Sequence, residues 1–494
     1  MNKGVPIAVF LISFVKFFVV GFLIVPPWGN ADEPAHYSYV MEFARGNFVP
    51  EHGVSLIDSA AVENQNGAPS KRKNYVLSHP PLYYVMMAPA GFLADVFSDS
   101  PVSILYSIRF LSALFAAVGV LFMYLTSREL ALSLIGSWFC VVVALATPTF
   151  VALSGGISND VGVFAFAAIG GYYLARFMKG GCRLDETLCI LAFVAATLTK
   201  STALPLLVGM VAFFAIQRLF CRGFSLRWIA GVSLVLTPIF LWHLYSFLKY
   251  GNWVRLGSLR TKHVLSSENF TIFDFFRASS VVERFIGSFH GHIWLRNDSK
   301  DLVMIYLSNG LSRDIFISAV LFMLLIVSLI YSIFIVKYKP IFIKYITVII
   351  SASFALFVYF YISNYSIAAP FLAGLIAFLG VFSILNSPIV FITDDALVKF
   401  SILTFSAFVL FCLVAIYNIY QVQLITGGIR ATHGRYFYAI APLLLISISG
   451  VIDRFRGNSL IFFILASMFL LAESFFWNDV AFPTYRAYEI LSAS

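Results

Sequence analysis

The feature that most constrains this chain is a series of long apolar runs, many near the twenty or so residues that a helix needs to cross a bilayer. They recur along all 494 residues. In hydrocarbon every backbone polar group must be satisfied internally, so such runs become helices. Spans are expected at 6–25, 103–125, 131–153, 161–177, 187–198, 202–216, 228–247, 315–336, 340–362, 367–385, 397–420, 438–452 and 460–476. The expected fold is therefore all-α, a single polytopic transmembrane helix bundle of about thirteen spans. Only 12% of the residues are charged, against about 25% in a soluble domain, so no stretch is left for a separate soluble unit.

The segment 80–97 is also apolar, but it holds Pro80, Pro81 and Pro89. It reads as a helix lying at the interface, and this decides the topology downstream. With the N-terminus inside, the inner segments carry fourteen basic and six acidic residues. The rest of the chain, Lys16 aside, balances at eighteen of each. Short inner loops rich in Lys and Arg are what the positive-inside rule demands. Two long segments, 26–102 and 249–314, then face outward. The first run reads as a retained helix, because Ile24-Val25-Pro26-Pro27 follows it where a signal-peptide cleavage site needs small residues.

This layout narrows the chemistry. No glycine-rich phosphate loop or dinucleotide fingerprint is present. Basic residues follow topology and form no nucleic-acid patch. The five cysteines show no CxxC pair. His290-Gly291-His292 matches no zinc-ligand spacing, so no metal is assigned. Any reaction belongs on the outer face, with substrates that reach it there.

The strongest candidate begins where the first span ends, at Trp28-Gly29-Asn30-Ala31-Asp32-Glu33-Pro34-Ala35-His36-Tyr37. Acids near lipid are expensive and tend to mark function, and a carboxylate there can act as a general base. Asp-Glu-Pro also reads as a helix start, with Asp32 as N-cap and Glu33 in the first turn. Both readings stand at this stage. Ser78-His79-Pro80-Pro81-Leu82-Tyr83-Tyr84 puts His79 and Tyr83 at the bilayer surface, either as site residues or as an ordinary proline-started helix with an aromatic belt. Arg109, Lys200 and His433-Gly434-Arg435-Tyr436 come from distant sequence, yet share one membrane level. Singly each cation could be a snorkelling anchor; together they can bind a phosphate. Ser158-Asn159-Asp160 opens the fourth span, as a helix cap or as part of the site. Lys16 sits mid-span, to snorkel or to pair inside the bundle.

These motifs, in this order, resemble the GT-C superfamily of membrane glycosyltransferases, which includes protein O-mannosyltransferases, aminoarabinose transferases of lipid A and oligosaccharyltransferase catalytic subunits. Asp32-Glu33-Pro34-Ala35-His36-Tyr37 resembles its acidic motif after the first helix. His79-Pro80-Pro81-Leu82-Tyr83, Arg109, Leu198-Thr199-Lys200 and Gly434-Arg435-Tyr436 resemble its later motifs. The resemblance is close over the first 220 residues and looser beyond. It is nearer to bacterial enzymes that decorate surface polysaccharide or lipid, including O-antigen-modifying glucosyltransferases, than to oligosaccharyltransferase subunits.

The resemblance implies an inverting transferase of the bacterial inner membrane, acting on the periplasmic face. A polyprenyl-phosphate sugar would be its donor and a glycan, lipid or protein its acceptor. Asp32 would be the base, with Glu33 and His36 orienting it or the acceptor. His79, Tyr83, Arg109, Asn159, Asp160, Lys200, Arg435 and Tyr436 would bind substrate, the cations taking the phosphate. A polymerase or ligase with a lipid-diphosphate donor, or a flippase of lipid-linked sugars, are the alternatives; a flippase should show broken spans in matched halves, which this chain lacks.

Overall fold

The computed structural model of the protein describes residues 4–59, 61, 73–218, 225–251, 395–426, 434–454, 458–483 and 485. Regular structure among them is helical, apart from one isolated bridge between Leu56 and Lys73. The helices are α1 (Gly4–Val19, continued by a π-helical turn Val20–Ile24), α2 (Glu33–Ala44), α3 (Leu82–Phe97), α4 (Pro101–Glu129), α5 (Leu134–Leu145), α6 (Pro148–Ser154), α7 (Asn159–Gly180), α8 (Arg183–Thr199), α9 (Leu204–Gln217), α10 (Leu226–Tyr250), α11 (Ala396–Thr426), α12 (Ala441–Ile452) and α13 (Asn458–Phe476). The expected spans 315–336, 340–362 and 367–385, and nearly all of the segment 249–314, lie outside the described residues.

Five helices among the described residues are long and apolar enough to cross a membrane: Gly4–Ile24, Pro101–Glu129, Asn159–Gly180, Leu226–Tyr250 and Ser459–Phe476. The span expected as one helix over 131–153 is instead two, α5 and α6, bent by 73°. Pro148 is the cause, since it has no N–H to return to the preceding turn and its ring crowds that turn's carbonyl. The helix expected over 438–452 begins only at Ala441, because Gly434–Ala439 forms a 3-10 turn first. That turn carries Arg435. The proline-rich segment 80–97 is the 16-residue helix α3.

Small residues set the packing, as is usual where helices meet without a hydrophobic drive between them. Ala113, Ala116, Ala117 and Val120 of α4 are buried in the main core with Ala167 and Ala168 of α7. A side chain at Gly21 would collide with the Gly155 backbone, so α1 and the turn after α6 touch main chain to main chain. A second core gathers Trp28, Tyr37 and Tyr39 with Tyr83, Tyr84, Ile104 and Ile108. It seats α2 and α3 against one end of α4. Mid-span Lys16 pairs with Glu473 of α13 at 2.6 Å, so the charge is neutralised within the bundle and does not snorkel.

Candidate active site at one end of the helix bundle

The turn between α1 and α2 is conformationally unusual. Trp28 (φ 65°) and Asp32 (φ 58°) both adopt the left-handed region without being glycine, a costly state that persists only where surroundings impose it. Arg109 imposes it. The guanidinium gives Nη1 to the Gly21 carbonyl at 2.5 Å and the Val25 carbonyl at 3.0 Å. It gives Nη2 to the Pro26 carbonyl at 2.9 Å, and it closes a fork on Glu33, Nε to Oε1 at 2.9 Å and Nη2 to Oε2 at 2.7 Å. Both side chains are wholly buried. Glu33 Oε1 also accepts the Ile157 N–H at 3.2 Å. One cation thus ties the carbonyls ending α1 to the first residue of α2, and Asp32 is held between. Arg109, expected beside the other two cations, is bonded to the protein itself.

Asp32 stands at the N-cap position of α2, yet its side chain makes no capping bond. The carboxylate turns outward. Oδ1 accepts the Tyr75 hydroxyl at 2.5 Å and Oδ2 accepts Nη2 of Arg435 at 2.7 Å. Arg435 Nε lies 3.9 Å from Asp160 Oδ2. Asp160 takes the Lys200 ammonium at 2.6 Å, and that ammonium lies 5.0 Å from the centroid of the Tyr436 ring. Residues from the α1–α2 turn, the start of α7, the end of α8 and the turn before α12 therefore form one alternating chain of charge. Asp160 and Lys200 are 3% exposed in their side chains, Arg435 9% and Asp32 32%. Asp32 is the open member of the four.

The aromatic wall behind this chain is specific. His36 Nδ1 bonds the Tyr84 hydroxyl at 2.9 Å, and the two rings stack. The Tyr83 hydroxyl bonds Ser112 at 2.9 Å and accepts the Ser158 N–H at 3.1 Å, so it holds the turn leading into α7. Ser158 caps α7 by accepting the Asp160 N–H at 3.3 Å, the cap reading of that triplet. Asn159 is fully buried, and neither of its amide atoms has a hydrogen-bond partner within the protein. The His79 carbonyl accepts from Tyr39 at 3.2 Å, and its ring lies within electrostatic reach of Lys200 and His36. In the sequence Tyr84 closes the His79 motif without a role of its own, and Tyr75 is not singled out at all. Tyr75 is 43 residues from Asp32, in a segment with no motif, and only the fold connects them. Among the described residues, no three His, Cys, Asp or Glu side chains gather as a metal site would require.

Burial pushes the Asp32 carboxyl up, but the Arg435 charge, the His36 ring and the hydrogen bonds from Arg435 and Tyr75 together outweigh it and hold the group below the usual carboxylate range. Burial pushes His36 down to about 4, against the pull of Asp32, so the ring is neutral at pH 7. Its folded pKa lies below the ordinary 6.5. Neutral His36 therefore contributes stability that is complete above about 6.5 and is lost as pH falls toward about 4. Thermal melting of the purified protein should fall across that window. His36→Gln should flatten the slope there, whereas the loss due to Asp32 begins only below about 4. A slope unchanged by the substitution would contradict a buried neutral imidazole.

No family model and no curated protein matches this chain. Solved structures similar to it include the S. cerevisiae protein O-mannosyltransferase Pmt1-Pmt2 complex bound to the sugar donor, at 16% identity and TM-score 0.35 over 52% of this chain. The chain covers 35% of the length of that protein. ArnT from Cupriavidus metallidurans in the apo state aligns over 91% of this chain and 78% of its own, at 16% identity and TM-score 0.35. The same ArnT bound to undecaprenyl phosphate aligns over 97% of this chain and 88% of its own, at 15% identity and TM-score 0.35.

Proposed function

We propose that this chain is an inverting GT-C-type glycosyltransferase that moves a sugar from a polyprenyl-phosphate donor to a hydroxyl of a glycan, lipid or protein acceptor. The observation that carries the reading is the convergence of Asp32 with Arg435, Asp160 and Lys200 from four distant segments at one end of the bundle. A partly open carboxylate beside two nearly buried cations is suited to one step. The acceptor hydroxyl gives its proton to Asp32 as its oxygen bonds the anomeric carbon. The bond from that carbon to the phosphate oxygen breaks, and its electron pair leaves on the lipid phosphate. Fixed cations in a poorly hydrated site stabilise that developing charge strongly. At an effective dielectric near 20, unit charges about 4 Å apart interact by about 4 kcal/mol. We place the site on the periplasmic face of a bacterial inner membrane, where lipid-linked sugars and surface glycans meet.

The reading is tested by identifying the carrier lipid that co-purifies with the protein, and by measuring release of polyprenyl phosphate from a polyprenyl-phosphate sugar in the presence of acceptor. A diphosphate carrier in the first experiment, or no release in the second, would overturn it. Lys200→Met and Arg435→Met should each raise the donor KM about tenfold or more, the effect of one charge-assisted bond. The double variant should lose less than the sum, since both act on one ligand. Arg435→Lys should restore only part, because a point charge cannot replace a fork. Lys200→Met leaves Asp160 short of its main partner, so Lys200→Met with Asp160→Asn serves as the charge-balanced control.

A further inference from the structure

Both cations have carboxylate partners within the protein. Lys200 is locked to a buried Asp160, whereas Arg435 is held at 2.7 Å by Asp32, whose side chain is a third exposed. A guanidinium pairs with carboxylate or phosphate in the same planar manner. We propose that Asp32 holds Nη2 of Arg435 within the donor phosphate's seat, so that a phosphate taking that group displaces it, and that the displacement releases the carboxylate to act as base. This rests on the donor reading above.

The geometry separates the two oxygens. Oδ2 is the atom bonded to Arg435, while Oδ1 is bonded to Tyr75. When a phosphate takes Nη2, Oδ2 gains a free lone pair and Tyr75 keeps the carboxylate in position. The exchange is nearly neutral in charge, since a phosphodiester brings one negative charge where one carboxylate withdraws. Asp160 does not leave, being fixed to Lys200 and accepting the Ser158 hydroxyl at 3.4 Å. Arg435 also holds the Asp32 carboxyl below its usual range, so the paired carboxylate is a poor base until the phosphate intervenes. Acceptor deprotonation then follows donor binding, and an acceptor bound alone stays protonated. The arrangement protects a transferase from activating a nucleophile with no sugar in place.

The experiment is binding of undecaprenyl phosphate to the purified full-length chain, with melting temperatures to establish folding. Asp32→Asn and Asp32→Ala should each bind it at least about tenfold more tightly than wild type, the effect of one charge-assisted hydrogen bond no longer contested. In an Arg435→Met background the same substitutions should bring no gain. Unchanged or weaker binding by both Asp32 variants overturns the proposal while leaving the donor reading intact. A gain that persists without Arg435 also overturns it, since it would be a general charge effect. Absence of binding by wild type and Asp32 variants alike overturns the donor reading itself.

Discussion

Asp32→Asn should abolish measurable transfer while the protein folds and inserts normally. Losing an essential proton acceptor typically costs about 100- to 10,000-fold in rate. Asparagine matches aspartate in size, and its carbonyl oxygen still accepts from Tyr75, which meets Asp32 at 2.5 Å. What it lacks is basicity and the charge that faces Arg435. The check is turnover at saturating donor, with melting temperature alongside. Full activity in Asp32→Asn would falsify the assignment of the base and leave Asp32 as a residue of the α2 entry turn. Glu33→Gln should fail differently. Its side chain is fully buried against Arg109, so the loss should be in folding yield and melting temperature before it is in chemistry.

Arg109→Met should strongly destabilise the protein, since its side chain and that of Glu33 are wholly buried as a pair. Breaking a buried ion pair by removing one partner costs about 3–5 kcal/mol, because the other charge is left uncompensated. Replacing both partners, as Glu33→Met with Arg109→Met, often restores stability in other proteins. Here recovery should be incomplete. Arg109 also donates to the carbonyls of Gly21, Val25 and Pro26 at the end of the first helix. Pro26 keeps the Gly29 N–H at 3.0 Å, but orphaning the other two costs about 1–3 kcal/mol each. Lysine should not substitute, since it cannot span a carboxylate and three carbonyls from a fixed plane. Melting temperature and folded yield give the stability. Any protein that survives should lose kcat without the loss of donor affinity expected of Arg435→Met, because Arg109 positions the Asp32 turn and is itself bonded to Glu33 and main-chain carbonyls. A variant with wild-type stability, or one that loses donor affinity as Arg435→Met does, would contradict this role.

The helical fold was legible in the chain because membrane insertion is decided over short windows of sequence. An apolar run of about twenty residues has few alternatives in lipid, and described spans such as Gly4–Ile24, Pro101–Glu129 and Asn159–Gly180 are where such runs lie. The broken helix at Pro148 was readable from the missing N–H, but hydropathy alone runs through it. Asp32 could be named as a candidate because a carboxylate at a membrane boundary is costly, and its left-handed backbone could not, because Arg109 enforces it from 77 residues away. The assignment of charges to partners was the tertiary structure's decision. From sequence, Arg109, Lys200 and Arg435 were three equivalent cations at one level. In the fold, close packing of α4 against α1 buries Arg109 with Glu33 and removes it from the others. The Asp160–Lys200 pair joins the start of α7 to the end of α8. The Asp32–Arg435 pair joins residues 403 apart. Ion pairing acts over a few ångströms in a medium with little water, so which acid meets which base is set by where helices end in space, a quantity that no local window of sequence contains.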